Sequence, residues 1–131
     1  MATSYEPKFL YGDTITGVAS ATITAGQTLV VSATGTVGPA GAGAANFVGV
    51  AAVDAASGAS FAFFPRGKVH ISVASGGITA GAQLATGAAG TVASLAAAAA
   101  ALTADVNAAR SVIGVALTTA ADTANVEWME F

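Results

Sequence analysis

The second half of this 131-residue chain repeats the first half. Three short motifs recur in the same order: ITAG at 23–26 and 78–81, GTV at 35–37 and 90–92, and VGVA or IGVA at 48–51 and 113–116. The offset is 55 residues (78 − 23) for the first two motifs and 65 residues (113 − 48) for the third. A repeated supersecondary unit normally packs against its own copy. We therefore predict one domain (13–131) with halves at about 13–75 and 76–131. The residues that precede this domain (1–12) are predicted to form an N-terminal arm.

Most of each half has the composition of short strands. From Asp13 onward, β-branched and aromatic residues form brief apolar segments that glycine-containing turns separate. The segments read as strands are 14–16 and 18–23, which are divided at Gly17, then 29–31 after the turn 24–27, and further along 47–53, 58–64, 68–73 and 125–129. The glycine-rich stretch from Gly35 to Ala45 is predicted to be a loop. The expected fold is all-β, a small barrel or sandwich-like domain built from two related halves.

Two of the predicted strands have informative faces. The segments 47–53 and 58–64 are predicted to form a hairpin with a connection of four or five residues. The 65-residue offset places Phe61 and Phe63 on Val126 and Trp128, so the last strand should repeat the return strand of this hairpin. In the strand from Lys68 to Val73, the three apolar residues Val69, Ile71 and Val73 face one way and Lys68, His70 and Ser72 face the other. With Arg66, this second face would carry three cationic side chains, either towards an acidic partner or as the solvent face of an edge strand.

The insertion between the last two repeated motifs has helical character. Leu95 to Arg110 contains six consecutive alanines, which have the highest helix propensity. An Ala-rich helix of this length is marginal in water unless it packs on something. The segment is predicted to form one short helix; in the alternative, Leu95 to Leu102 is a small-residue loop and Thr103 to Asp105 caps a second short turn.

Charge and composition exclude several classes of protein. Charged residues make up 8% of the chain, against roughly 25% in an average soluble domain. Four Lys and Arg and a net charge of −3 leave no basic surface for nucleic acid. The longest apolar run has eight residues, well short of the roughly 20 that cross a bilayer, and Met1 to Phe9 lacks the apolar run of a signal peptide. We expect neither nucleic acid nor a membrane as a partner.

No motif for catalysis is present. The chain has one histidine, His70, with no acidic residue near it in the sequence, and it has no cysteine. Asp54 and Asp122 are placed in turns at equivalent or nearly equivalent positions of the repeat, where an aspartate side chain caps its own backbone. The stretch from Gly38 to Gly43 lacks the Gly-Lys-Ser/Thr ending of a phosphate-binding loop. The sequence predicts no enzyme, no cofactor and no metal.

Several segments together resemble the tailed-bacteriophage capsid decoration proteins, also called head cement proteins. They are YGDTI at 11–15, ITAGQ at 23–27, FVGVA at 47–51 followed by DAASG at 54–58, GKV at 67–69, TAGAQL at 79–84 and IGVA at 113–116. The resemblance runs from about Tyr11 to Met129, and the Ala-rich insertion is longer than the family leads one to expect. It implies a β-rich homotrimer on the outer surface of the expanded phage head, bound to the major capsid protein, with no catalytic residues.

Two groups of residues are the candidate contacts with the capsid or with another subunit. The first is the aromatic arm, with Tyr5, Phe9 and Tyr11, which either docks into a groove or is a disordered leader. The second is the cationic run Arg66, Lys68 and His70, for which Glu127 and Glu130 of a neighbouring subunit are a possible complement. The alternative function is a small-molecule or carbohydrate-binding β domain, which requires a concave site with converging polar groups.

Overall fold

A computed structural model describes residues 14–95 and 103–131; the predicted arm and residues 96–102 of the Ala-rich insertion lie outside these ranges. The described residues form ten strands, a 3₁₀ turn at Ala88–Gly90 and one helix. The strands are β1 (Ile15–Ala19), β2 (Thr28–Ala33), β3 (Thr36–Pro39), β4 (Phe47–Ala51), β5 (Ser60–Pro65), β6 (Val69–Val73), β7 (Gln83–Thr86), β8 (Val92–Ser94), β9 (Gly114–Ala116) and β10 (Asn125–Glu130), and helix α1 spans Thr103–Arg110.

The strands form one closed barrel and one second sheet, which confirms the predicted all-β class. The barrel order is β1-β3-β2-β4-β5, and it closes because β1 pairs antiparallel with β5 and parallel with β3. The second sheet has the order β6-β10-β9-β7-β8. The predicted hairpin is present as the antiparallel pair β4 and β5, although eight residues rather than four or five separate the two strands.

The two strand groups are structural repeats of each other. Residues related by the 55- and 65-residue offsets make equivalent bridges: Ala19–Val37 corresponds to Ala74–Val92, and Ile23–Ala55 corresponds to Ile78–Ala120. Strand β6 is the counterpart of β1 and pairs with β10 in the second sheet. The second structural unit therefore begins at β6, and the sequence boundary placed at Gly76 is about seven residues too late.

Each repeat has its own apolar core, and the two cores use equivalent positions. The buried equivalents are Ala19 and Ala74, Ile23 and Ile78, Leu29 and Leu84, Val37 and Val92, Ala51 and Ala116, Phe61 and Val126, and Phe63 and Trp128. Phe47 is an exception, because it lies on β4 of the barrel but belongs to the second core, where its ring centroid is 6.4 Å from that of Trp128. The large side chains of the second core thus also join the two halves.

The first half also covers an opening in the second sheet. Strands β1 and β3 of the barrel pair at two positions. Their counterparts β6 and β8 are joined by one bridge, Ala74–Val92, and the opening lies between them. The turn Thr24–Gln27 lies beside this opening: Ser72 Oγ donates a hydrogen bond to the Gly26 carbonyl (2.8 Å), and Gln27 Nε2 donates one to the Ala89 carbonyl (3.1 Å). The barrel therefore supplies the polar contacts that the second sheet does not make for itself.

Three sequence expectations need correction. The predicted loop from Gly35 to Ala45 contains strand β3, whose Val37 is a core residue. The helix within Leu95 to Arg110 is confirmed only over Thr103–Arg110, since 96–102 lie outside the described residues. Asp54 and Asp122 do lie in turns, but each carboxylate accepts a hydrogen bond from another turn, at the Ala25 and Gly76 amides respectively, and the repeat equivalent of Asp54 is Thr119.

One equivalent pair of turn positions predicts a stabilising substitution. Gly58 has φ +83°, whereas its counterpart Thr123 has φ +65°, a left-handed conformation that a β-branched residue adopts at a cost. The amides of both residues donate to equivalent carbonyls, those of Ala19 and Ala74. We expect Thr123→Gly to raise the free energy of unfolding by about 1 kcal/mol, and Gly58→Thr to lower it by at least that much. Urea denaturation of both variants measures this; a destabilised Thr123→Gly variant would contradict it.

Candidate functional site

The faces of β6 are the reverse of those expected. Val69, Ile71 and Val73 are 54%, 60% and 43% exposed, whereas His70 and Ser72 are buried. The prediction that His70 lies on an exposed cationic face is therefore wrong. His70 is not available for contact with a capsid, and the exposed surface of this strand is apolar.

His70 belongs to a buried ionic cluster. Its Nε2 lies 3.0 Å from Oε2 of Glu130, and both side chains are almost completely inaccessible to solvent. The other carboxylate oxygen, Oε1, lies 3.8 Å from Arg66 Nε and has no hydrogen-bond partner within the described part of the chain. The ring of Trp128 packs 5.3 Å from the His70 ring. Glu130 is thus a complement of the cationic run within the same subunit.

Arg66 and Lys68 remain at the surface and lie over aromatic rings. The Arg66 guanidinium carbon is 5.3 Å from the Phe47 centroid, and the Lys68 ammonium is 5.8 Å from the Phe64 centroid. Contacts of this kind hold a cation in place with about 0.5–1 kcal/mol at exposed sites. These two residues stay candidate contacts, while Tyr5, Phe9 and Tyr11 of the arm lie outside the described residues.

A second exposed feature is the outer face of the β6–β10 pair, here called the sheet face. It consists of Val69, Ile71 and Val73 on β6 with Glu127 and Met129 on β10. Met129 lies directly opposite Val69, and Glu127 lies directly opposite Ile71, so their side chains share one surface. Contiguous exposed apolar surface of this kind commonly marks a site of protein interaction.

The equivalent surface of the first repeat is different. Applying the 55-residue offset to Val69 and Ile71 gives Thr14 and Thr16 on the outside of the barrel, both exposed. The third position keeps a valine, Val18, which is 36% exposed. The first copy therefore presents threonine hydroxyls at two outward-facing positions where the second copy presents valine and isoleucine. The requirements of the fold do not account for the apolar residues of the second copy.

A cleft of about 370 Å³ lies between the two halves. It is partly open, its walls carry no charged side chain, and its volume is at the lower end of the roughly 300–1,000 Å³ typical of small-molecule sites. The lining comes from the turn 24–27, from β6 at 71–73, from 89–91 and from Asn125. Gln27 uses its amide on both sides of the cleft, accepting from the Thr24 amide and donating to the Ala89 carbonyl.

Among residues 14–95 and 103–131, no three His, Cys, Asp or Glu side chains are arranged to hold a metal ion. No helix within those ranges is long and apolar enough to cross a membrane. The surface features that stand out are therefore the sheet face, the two surface cations and the cleft.

Sequence reasoning missed the sheet face, and it assigned Glu130, the partner of His70, to a neighbouring subunit instead of the same one. The repeat contained the necessary information: the 55-residue offset, extended backwards from Ala74 and Ala19, aligns His70 with Ile15 and Ser72 with Gly17, on the inner side of β1. This alignment would have placed His70 inside. Glu130 has no comparable signal, because its contact with His70 joins residues 60 positions apart.

Comparison with known proteins supports the fold and leaves the activity open. No protein-family description matches the chain, and no curated protein matches it. Among solved structures, the chain is similar to the head fiber gp8.5 N base of bacteriophage phi29. The TM-score is 0.67 at 18% sequence identity, and the alignment covers 91% of this chain and 93% of the other. At this identity, the similarity establishes a shared fold over nearly the whole length.

Proposed function

We propose that this protein is a structural, non-enzymatic component of a phage virion that binds to the outside of the head and stabilises junctions between capsomers. The proposed partner is the major capsid protein, and the proposed assembly is a homotrimer. The single observation that carries the proposal is the fold shared with a phage head fiber base over 91% of the chain. The resemblance of the turn and strand motifs to head cement proteins supports it independently.

The physical properties of the surface suit this role. A protein that spans subunit boundaries gains affinity from many modest contacts, which the symmetry of a shell multiplies. Burying a charge at each contact would cost free energy unless the charge were paired, so a surface with few charges lowers that cost. Only 8% of this chain is charged, and the sheet face presents one carboxylate among four apolar side chains.

Binding to shells tests the proposal directly. Purified protein should cosediment with undecorated, expanded heads of the source phage and saturate at a copy number that matches the three-fold and quasi-three-fold positions. A variant lacking residues 1–9 tests the predicted contribution of the arm. We expect this variant to bind at least about tenfold more weakly, because extended segments gain affinity through backbone hydrogen bonds and aromatic anchors.

Two controls make the result interpretable. The melting temperature of the arm-deleted variant should equal that of the full chain, which separates lost contacts from lost folding. Unchanged binding would remove the arm from the proposal, and absence of binding by the full chain to intact shells would overturn the proposal itself.

The cleft supports a second candidate function, the binding of a small uncharged ligand. Its walls combine hydroxyl and amide groups with aliphatic side chains, and its volume of about 370 Å³ is sufficient for a small molecule. A rise in melting temperature with a neutral monosaccharide or disaccharide, in the absence of shells, would favour this candidate. A panel of such sugars without effect, together with saturable shell binding, would favour the structural role.

A further inference from the structure

We propose that the sheet face of one copy binds helix α1 of the neighbouring copy, so that the subunits associate head to tail. This inference rests on the homotrimer of the proposed function and names the surfaces that would form it. The two surfaces are the sheet face, defined above, and the exposed side of α1 that carries Val106, Asn107 and Arg110. Four observations lead to this pairing.

The first observation is that the sheet face exposes apolar side chains without a structural reason. Ile71 is 60% exposed, whereas Thr16 occupies the same position of the fold in the first repeat. Covering an exposed isoleucine or valine is favourable in proportion to the apolar area that is removed from water. Several such side chains in contact with one another are a sufficient apolar centre for an interface, provided that a partner covers them.

The second observation concerns charge on the sheet face. Glu127 projects from its middle, opposite Ile71, and has no ionic partner among the described residues. Other described carboxylates are engaged: Asp54 and Asp122 accept hydrogen bonds from turn amides, and Glu130 lies in the buried cluster. A partner for this face must therefore bring apolar side chains together with a single positive charge.

The third observation is that the exposed side of α1 carries both an apolar side chain and a positive charge. Val106 and Arg110 are four residues apart and share one side of the helix, with Asn107 beside them. Val106 is 51% exposed, and Arg110 is exposed without an ionic partner in the described ranges. A helix of eight residues is marginal in water by itself, so a surface that covers Val106 would stabilise it.

The fourth observation is that the two surfaces differ, which determines the symmetry. Contact between two different surfaces is heterologous, and it closes into a ring when the rotation between subunits allows. In a ring of three subunits, each sheet face binds the α1 of one neighbour, so that every sheet face and every α1 is covered once. The isologous alternative, sheet face against sheet face, would bring two Glu127 carboxylates together without a counter-charge, which is unfavourable at an interface.

Site-directed crosslinking tests the inference, and the chain's lack of cysteine makes every introduced thiol unique. Ile71→Cys and Asn107→Cys, prepared separately and mixed, should form a covalent heterodimer with a short bis-maleimide, and the double variant should give a ladder that ends at the trimer. Thr16→Cys replaces Ile71→Cys in the matched control, because it occupies the equivalent position of the first repeat. The control should crosslink at least about tenfold less with Asn107→Cys, since an effective concentration in the mM range requires proximity.

The reaction should be run in solution and on shells, so that failure of the interface and failure of the proposed function are distinguishable. Crosslinking of Ile71→Cys to Asn107→Cys in either setting supports the inference, even if the protein does not bind shells. Crosslinking of Ile71→Cys to itself or to capsid protein instead, or no crosslinking in both settings, overturns it. Shell binding with no crosslinking refutes the interface and leaves the proposed function intact.

Charge reversal gives a second, independent readout. Glu127→Arg and Arg110→Glu should each weaken self-association by about tenfold or more, as measured by sedimentation or on shells by crosslink yield, because each places like charges opposite each other. The double reversal should restore most of the loss. Equal weakening in the double and single variants would contradict a direct contact between these residues.

Discussion

Replacing His70 by leucine is expected to lower the free energy of unfolding by about 3–5 kcal/mol, because it leaves the buried Glu130 side chain without its hydrogen-bond partner. The Glu130 side chain is fully buried, and its Oε2 has His70 Nε2 as its hydrogen-bond partner at 3.0 Å. Without His70, the carboxylate retains Arg66 at 3.8 Å, which is too far for a hydrogen bond. A loss of this size is a large share of the stability of a domain of this length.

The double variant separates the cost of an orphaned charge from the value of the pair. His70→Leu/Glu130→Leu removes both polar groups, and apolar replacements of whole buried pairs are often neutral or stabilising. The double variant should therefore be more stable than His70→Leu, with most of the 3–5 kcal/mol recovered, in urea denaturation at neutral pH. A double variant that is less stable than either single variant would mean that the two side chains stabilise the fold separately and that an orphaned carboxylate is not the cause of the loss.

Alanine at Gly114 is expected to be similarly disruptive, with a loss of about 3 kcal/mol or more. A Cβ atom on Gly114 would collide with the backbone carbonyl oxygen of Met129 and approach Trp128 Cε3 to 2.8 Å. Neither neighbour can move freely, because β9 and β10 are paired at this position and Trp128 is completely buried. Gly49, the equivalent in the barrel, meets the carbonyl of Phe64 in the same way, so the restriction belongs to the repeated unit.

Gly77→Ala is the matched control for this substitution. No atom lies within 4 Å of the position that its Cβ would occupy, and its backbone is outside the left-handed region. Alanine there should be neutral or should stabilise the protein by up to about 1 kcal/mol, because it restricts the unfolded chain. Thermal denaturation of the two alanine variants side by side measures the contrast. Similar melting temperatures would show that β9 can move away from β10, contrary to this account.

Much of the fold was predictable because the two copies of the repeat can be compared position by position. The match of Phe61 and Phe63 with Val126 and Trp128 correctly indicated that the last strand repeats the return strand of the hairpin, and all four side chains are buried in the two cores. Strand β3 was missed because Gly38 and Pro39 dominate its local composition. Its pairing with β1 and β2 on either side outweighs that weak propensity.

The orientation of β6 could not be read from its own residues. Alternation over Val69–Val73 establishes that the strand has two different faces, and hydrophobicity then favours burying the valines and the isoleucine. The structure buries His70 and Ser72 instead, because each finds a partner far along the chain, Glu130 and the Gly26 carbonyl respectively. Local patterns do not report such partners, and the candidate site was consequently placed on the wrong side of the strand.

The opening between β6 and β8 bears on how the two copies can diverge. The barrel closes on its own strands, whereas the second sheet depends on the turn Thr24–Gln27 of its neighbour. A gene rearrangement that separated the copies would leave the first copy with a closed barrel and the second copy with an uncovered gap between β6 and β8. The first copy in turn buries Phe47 against Trp128 of the second. This mutual dependence ties the copies together in inheritance, while the outer surface of the second copy stays free to change under selection for new contacts.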